Sequence, residues 1–174
     1  MLKQAAIILS AVAFAHIGGD SNVLARFKGG IGVQPVLNVA GTPNPDGTFP
    51  NVVRNIVRGV RPAGPWRIAD LTATVFADGR IKVKGRGLLL AAGDSIGQNF
   101  NQSVFATLIC EPSGSFVERN TNLTGVPLEP NGDFRIDDVL DPAPSECASP
   151  VLLIRNTGGL WFAAGVPAFA DDEE

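Results

Sequence analysis

The chain has 174 residues, a formal net charge of −3 and a single histidine. That leaves room for one domain with a sizeable core, and it excludes a strongly basic nucleic-acid binder and any histidine-rich metal centre. Its 20 Gly and 13 Pro, set among plentiful Val, Ile, Leu and Phe, exclude a bundle of long helices and favour short strands joined by turns.

In chain order, Lys3 followed by the apolar run "AAIILSAVAFA" reads as an export signal over residues 1–25, with cleavage after Ala15 or after Ala25. The run is too short to cross a bilayer, and no later segment reaches about 18 consecutive apolar residues, so no membrane span is expected. The protein is therefore expected to be secreted or extracellular, or periplasmic in a Gram-negative cell, with residues 26–168 forming one domain. In "NVVRNIVRGVR", Val53, Ile56, Val57 and Val60 match helical spacing, but β-branched residues dominate and Pro62 ends the run, which favours a strand. "TATVFA", Asp78-Gly79 and "RIKVKGR" form a hairpin signal, with Ile81 and Val83 on one side and Arg80, Lys82 and Lys84 on the other. "GLLLAA" and "VFATLIC" follow, the second buried on both faces. "GVPLE" passes through the turn Pro130-Asn131-Gly132 into "DFRID", where Phe134 and Ile136 point inward and Asp133, Arg135 and Asp137 outward. "IDDVLD" before Pro142 could hold one helical turn. "PVLLIRN" and "LWFAAGV" are joined by Asn156-Thr157-Gly158-Gly159, and residues 169–174 form an acidic, disordered tail. About eight closely spaced strands predict an all-β fold, an antiparallel β-sandwich of Greek-key or Ig-like type, with a small β-barrel as the alternative.

Cys110 and Cys147 are the only two cysteines, and in an exported protein they predict one disulfide; in a cytosolic one they would be free thiols. The sequons at Asn101 and Asn122 become glycosylation sites only in a eukaryotic secretory pathway. Charge is divided unevenly: residues 26–86 carry ten Lys or Arg against three Asp, and residues 87–174 carry three Arg against thirteen acids. One reading is a basic patch of Arg54, Arg58, Arg61, Trp66 and Arg67 for an anionic polysaccharide or another cell-surface component. The other is internal complementarity, with Arg80, Lys82 and Lys84 lying near the outward carboxylates of Asp133 and Asp137. Nucleic acid does not suit an acidic exported chain without an aromatic-basic face.

Several motifs invite a catalytic reading and lack what the chemistry needs. "GDSIG" places Ser95 in a G-x-S-x-G pattern, but a serine nucleophile needs a base. His16 lies at a loose terminus, or is cleaved off, and nothing in the spacing ties Lys82 or Lys84 to Ser95. A mature N-terminal His16 has no second histidine for a copper brace, and zinc has no ligand set. Asp133, Asp137, Asp138 and Asp141 lack the spacing of a calcium loop, and Asp133 and Asp137 stand about 13 Å apart on a strand. The same carboxylates could serve as a glycosidase pair, but no cleft aromatics accompany them, and Trp66 and Trp161 are as easily core residues. No cofactor is implied.

The strings "RNIVRGVRPAGPWRIADLTATVFADGRIKVKGRGLLLAAGDSIG", "QSVFATLIC", "GVPLEPNGDFRIDDVL" and "CASPVLLIRN", in that order, resemble a group of small exported microbial proteins of unassigned function. "FKGGIGVQPV" is similar to chordin-type (CHRD) domains. That likeness implies an antiparallel, CHRD-like β architecture and nothing more, since this chain lacks the H-x-H string of those domains. Together these readings predict a secreted non-enzymatic β-sandwich with a binding or structural role at the cell exterior. The alternatives are a secreted hydrolase using carboxylates or Ser95, and a carrier of a small apolar ligand.

Overall fold

Two-residue alternation of apolar and polar side chains, punctuated by Gly- and Pro-containing turns, folds this chain into strands. The computed structural model describes residues 22–34, 42, 44–46 and 55–168, and these contain no α-helix. The strands are β1 (Val23–Gly32), β2 (Trp66–Arg67), β3 (Asp70–Phe76), β4 (Arg80–Arg86), β5 (Leu89–Leu90), β6 (Ser103–Cys110), β7 (Val117–Asn120), β8 (Val126–Pro127), β9 (Phe134–Val139), β10 (Val151–Asn156) and β11 (Trp161–Ala168). His16, Arg54, the first 21 residues and the tail 169–174 lie outside the described residues.

One large antiparallel sheet runs β7–β6–β10–β11–β1–β3–β4–β9, with β8 also on β6. β7 pairs with Thr107–Cys110, and β8 pairs with Ser103 and Val104 on the same edge. Between them Thr121 continues the contact: its N–H donates to the Ala106 carbonyl at 3.0 Å, and its Oγ1 accepts from the Ala106 N–H at 3.0 Å. Residues 117–127 thus act as one split strand. The sheet curls until β9 meets this split strand across a seam. There Asn120 and Asp141 exchange backbone hydrogen bonds of 3.2 and 2.9 Å, and the Asn122 N–H donates to the Asp138 carboxylate at 2.8 Å. The all-β antiparallel expectation holds, and the sheet is nearly closed into a barrel.

Apolar side chains fill the inside. Leu71, Val75, Ile81, Val104, Leu108 and Leu152 have no exposed surface, and Phe27, Phe134 and Ile136 pack with them. Burying each such side chain contributes about 1.5–3 kcal/mol. On the wall formed by β3, β4 and β9, the outward residues include Thr72, Lys82, Lys84, Arg135 and Asp137. Among the described residues, no helix is long and apolar enough to cross a membrane.

One end is covered by the short β2–β5 sheet, where Trp66 pairs with Leu90 and its indole stacks on Phe162, with ring centroids 4.0 Å apart. Gly132 closes the turn before β9 at φ +81, against the backbone of Leu88; a Cβ there would lie 2.6 Å from the Leu88 nitrogen. Gly85 leaves space for the ring of Phe134, its cross-strand partner. The two cysteines form the expected disulfide, with Cα atoms 4.9 Å apart. It joins the end of β6 to the segment entering β10, the strand beside it.

Three local expectations are corrected. "IDDVLD" holds no helical turn: β9 continues to Val139, because Ile136 and Leu140 are buried on the inner side and Ile81 to Gly85 supply a ladder partner. "GLLLAA" contributes only Leu89 and Leu90 as strand. The described part of "NVVRNIVRGVR" makes a tight reversal, with Val57 and Val60 exchanging hydrogen bonds of 3.1 and 2.9 Å around Arg58-Gly59 at φ +47 and +88. β1 also begins at Val23, three residues before the expected domain boundary at 26, and Ala25 pairs with Val75 inside it.

Candidate functional site

Of the basic patch expected from the sequence, one member does not reach the surface. Trp66 is 4% exposed and belongs to the core, so it offers no face to a ligand. Arg58 donates from Nη1 to the Ile109 carbonyl at 3.0 Å and lies 4.8 Å over the Phe116 ring, which ties it to β6 and β7. Arg61 and Arg67 are exposed, and Arg54 lies outside the described residues. Trp161 is also a core residue; its Nε1–H donates to the Asn55 carbonyl at 3.1 Å.

Positive charge gathers instead on the outer wall of β3, β4 and β9. The registers align three cross-strand rows there: Asp70 with Arg86; Thr72 with Lys84 and Arg135; and Thr74 with Lys82 and Asp137. The two flanking rows neutralise themselves. Arg86 donates to Asp70 at 3.1 Å, and Lys82 lies 3.7 Å from Asp137. That is the complementarity expected of Lys82 and Asp137. The central row differs: Lys84 stands directly opposite Arg135, and among the described residues neither has an ion-pair or hydrogen-bond partner. Like charges directly opposite on a sheet destabilise it.

The unpaired row lies in a groove. A hollow of about 310 Å³ runs over Thr72, Thr74, Lys82, Lys84, Arg135 and Asp137. A second, of about 510 Å³, shares Lys84 and Arg135 and continues to Arg86, Pro127, Glu129 and Asp133. Its far wall is the segment that leads out of β8 into the turn before β9. Asp133 also accepts a hydrogen bond from the Gly87 N–H at 3.0 Å, fixing that turn against the chain leaving β4. A trough with two uncompensated cations at its centre suits an extended anion.

The remaining candidates are dispersed. Ser95 sits in the exposed loop between β5 and β6, and its side chain has no hydrogen-bond partner among the described residues. Asp133, Asp137 and Asp138 are engaged with Gly87, Lys82 and Asn122 respectively. Among the described residues, no group of three or more His, Cys, Asp or Glu could hold a metal ion. Asn101 and Asn122 are exposed; the Asn122 side chain accepts from the Thr124 N–H at 3.0 Å and its hydroxyl at 2.9 Å. Asp78 accepts from the Arg80 side chain at 2.7 Å, and that hydrogen bond holds its carboxyl below the usual carboxylate range.

The sequence singled out Lys84 and Arg135 as outward residues but not as partners. The signal was there in the alternation of both strands; only the register between the non-consecutive strands β4 and β9 puts them face to face. Comparison with protein-family models, with curated proteins and with solved structures gives no match to this chain.

Proposed function

We propose that this protein is an exported, non-enzymatic binding protein of the cell exterior, and that it holds an anionic polysaccharide or another anionic surface component in the groove over β3, β4 and β9. One observation carries the reading: Lys84 faces Arg135 and neither side chain has an ion-pair partner among the described residues, while the rows on both sides are neutralised. A bound anion would supply what the fold withholds, and one repeating along a chain would follow the groove from Thr74 to Glu129. The disulfide supports the extracellular placement, since such bridges persist in oxidising compartments. Of the two cleavage positions, the one after Ala15 leaves β1 intact, whereas the one after Ala25 removes Val23, Leu24 and Ala25 from it.

The test is retention of the purified protein on an immobilised acidic polysaccharide at low ionic strength. The double variant Lys84→Ala/Arg135→Ala elutes at markedly lower salt than the unaltered chain, and Arg61→Ala/Arg67→Ala elutes with the unaltered chain. Unchanged retention of the first variant overturns the groove. Loss of retention in the second moves the site to the patch around Arg61.

A further inference from the structure

The turn between β5 and β6 spends conformational energy to display an aromatic ring. Phe100 and Asn101 both have positive φ, +49 and +48, and the Gln102 N–H closes the reversal on the Asn99 carbonyl at 3.1 Å. Asparagine tolerates this region; a bulky aromatic residue there is an outlier, which persists only where surrounding structure holds it. Here three hydrogen bonds do so. The Asn99 side-chain amide donates to the carbonyls of Leu128 at 3.3 Å and Glu129 at 2.8 Å, and the Leu128 N–H donates to the Gln102 carbonyl at 2.9 Å. The outcome is an exposed ring, since Phe100 keeps 51% of its surface in solvent. The same loop exposes Ile96 at 63%. Glu129, which accepts from Asn99, is also in the wall of the basic groove.

We infer that Phe100 is an aromatic platform at the end of the groove and that the anion held there is a carboxylated polysaccharide, its acid groups on Lys84 and Arg135 and the apolar face of a pyranose ring on Phe100. This rests on the groove reading above and adds a ligand class to it. Cations alone take any polyanion. An exposed aromatic face beside them selects a polymer that also has an apolar face, which polyphosphate lacks, whereas the axial C–H bonds of a sugar ring meet the negative face of the phenyl group. Single-stranded nucleic acid also stacks on aromatics beside cations, so it enters the experiment as a competitor.

The experiment measures Kd at low ionic strength for polygalacturonate, polyphosphate and oligo-dT, using the unaltered chain, Phe100→Ala, Phe100→Gly and Lys84→Ala/Arg135→Ala. Glycine accepts the positive φ of position 100, so Phe100→Gly keeps the turn while removing the ring. Both Phe100 variants weaken polygalacturonate about tenfold and leave polyphosphate unchanged, and Phe100→Gly melts no lower than the unaltered chain. The double cation variant weakens both polymers. Phe100 variants that leave polygalacturonate unchanged, or that weaken both polymers equally, overturn the platform while the groove stands. Oligo-dT bound as tightly as polygalacturonate and equally sensitive to Phe100 overturns the sugar assignment. A double cation variant that binds both polymers normally overturns the groove itself.

Discussion

Reversing one charge separates what the central row does for the fold from what it does for a ligand. In Arg135→Glu the pair opposite Lys84 changes from repulsive to attractive. A directly opposed like-charge pair costs, and an opposite-charge pair contributes, about 0.2–1 kcal/mol. The swing is therefore about 1 kcal/mol in favour of the variant. Its neighbours nearly cancel: the new carboxylate lies diagonal to Lys82 and Arg86 and two residues from Asp133 and Asp137, two attractive and two repulsive. For a domain of this size 1 kcal/mol corresponds to about 2–4 °C in Tm. The gain is read from thermal unfolding by circular dichroism at ~0.01 M and at ~1 M salt, where the Debye length falls from about 30 Å to about 3 Å. The expected result is a variant that melts about 3 °C above the unaltered chain at low salt, loses most of that advantage at high salt, and no longer binds acidic polysaccharide. An unchanged or lower Tm at low salt would refute the claim that the row is strained by its own charges, and with it the reason for placing an anion there.

Removing the bridge by Cys110→Ala/Cys147→Ala frees a loop of 37 residues, and the chain-entropy relation puts the loss at about 4 kcal/mol, so chemical denaturation shows the midpoint shifting far down and the slope rising as the unfolded chain expands. Gly85→Ala drives a methyl group into the Phe134 ring and costs about 1–3 kcal/mol by overpacking, measured in the same way; Lys84→Ala next to it, on the outer face, leaves the melt unchanged or slightly raised. Asp78 titrates below the usual carboxylate range, chiefly because Arg80 donates to it, so its contribution to stability is present above the unfolded-state carboxylate pKa and fades as pH falls through the lower folded value. Carboxyl chemical shifts followed by NMR from neutral to acid pH show this midpoint, and Arg80→Ala returns it to the ordinary range.

Sequence pattern reached the strands through elementary sterics. In β4 and β9, strict alternation assigned Ile81, Val83, Phe134 and Ile136 to the core, and all four are buried. Asp78-Gly79 marked a hairpin and Asn131-Gly132 a turn, because glycine at positive φ is what these reversals require; Gly79 and Gly132 have φ of +90 and +81. Alternation says nothing about which non-consecutive strands meet, so the closure of the sheet by β1 on β11 and the split pairing of β7 and β8 were out of reach. For Trp66 the sequence left a surface patch and the core both open, for a related reason. Flanked by Pro65 and Arg67, it reads as a loop residue next to charge; only the approach of Phe162, about a hundred positions later, makes its surroundings apolar. Phe100 left no trace in pattern either, since an aromatic residue with positive φ runs against local preference and is imposed by Leu128 and Glu129.

β1, the earliest strand of the sheet, is sandwiched between β3 and β11, the last. Its β11 edge has no native partner until residues 161–168 exist, so the wall cannot be completed piecemeal as the polypeptide emerges from a ribosome or a translocation pore. Such long-range topology folds slowly and only once nearly the whole domain is free.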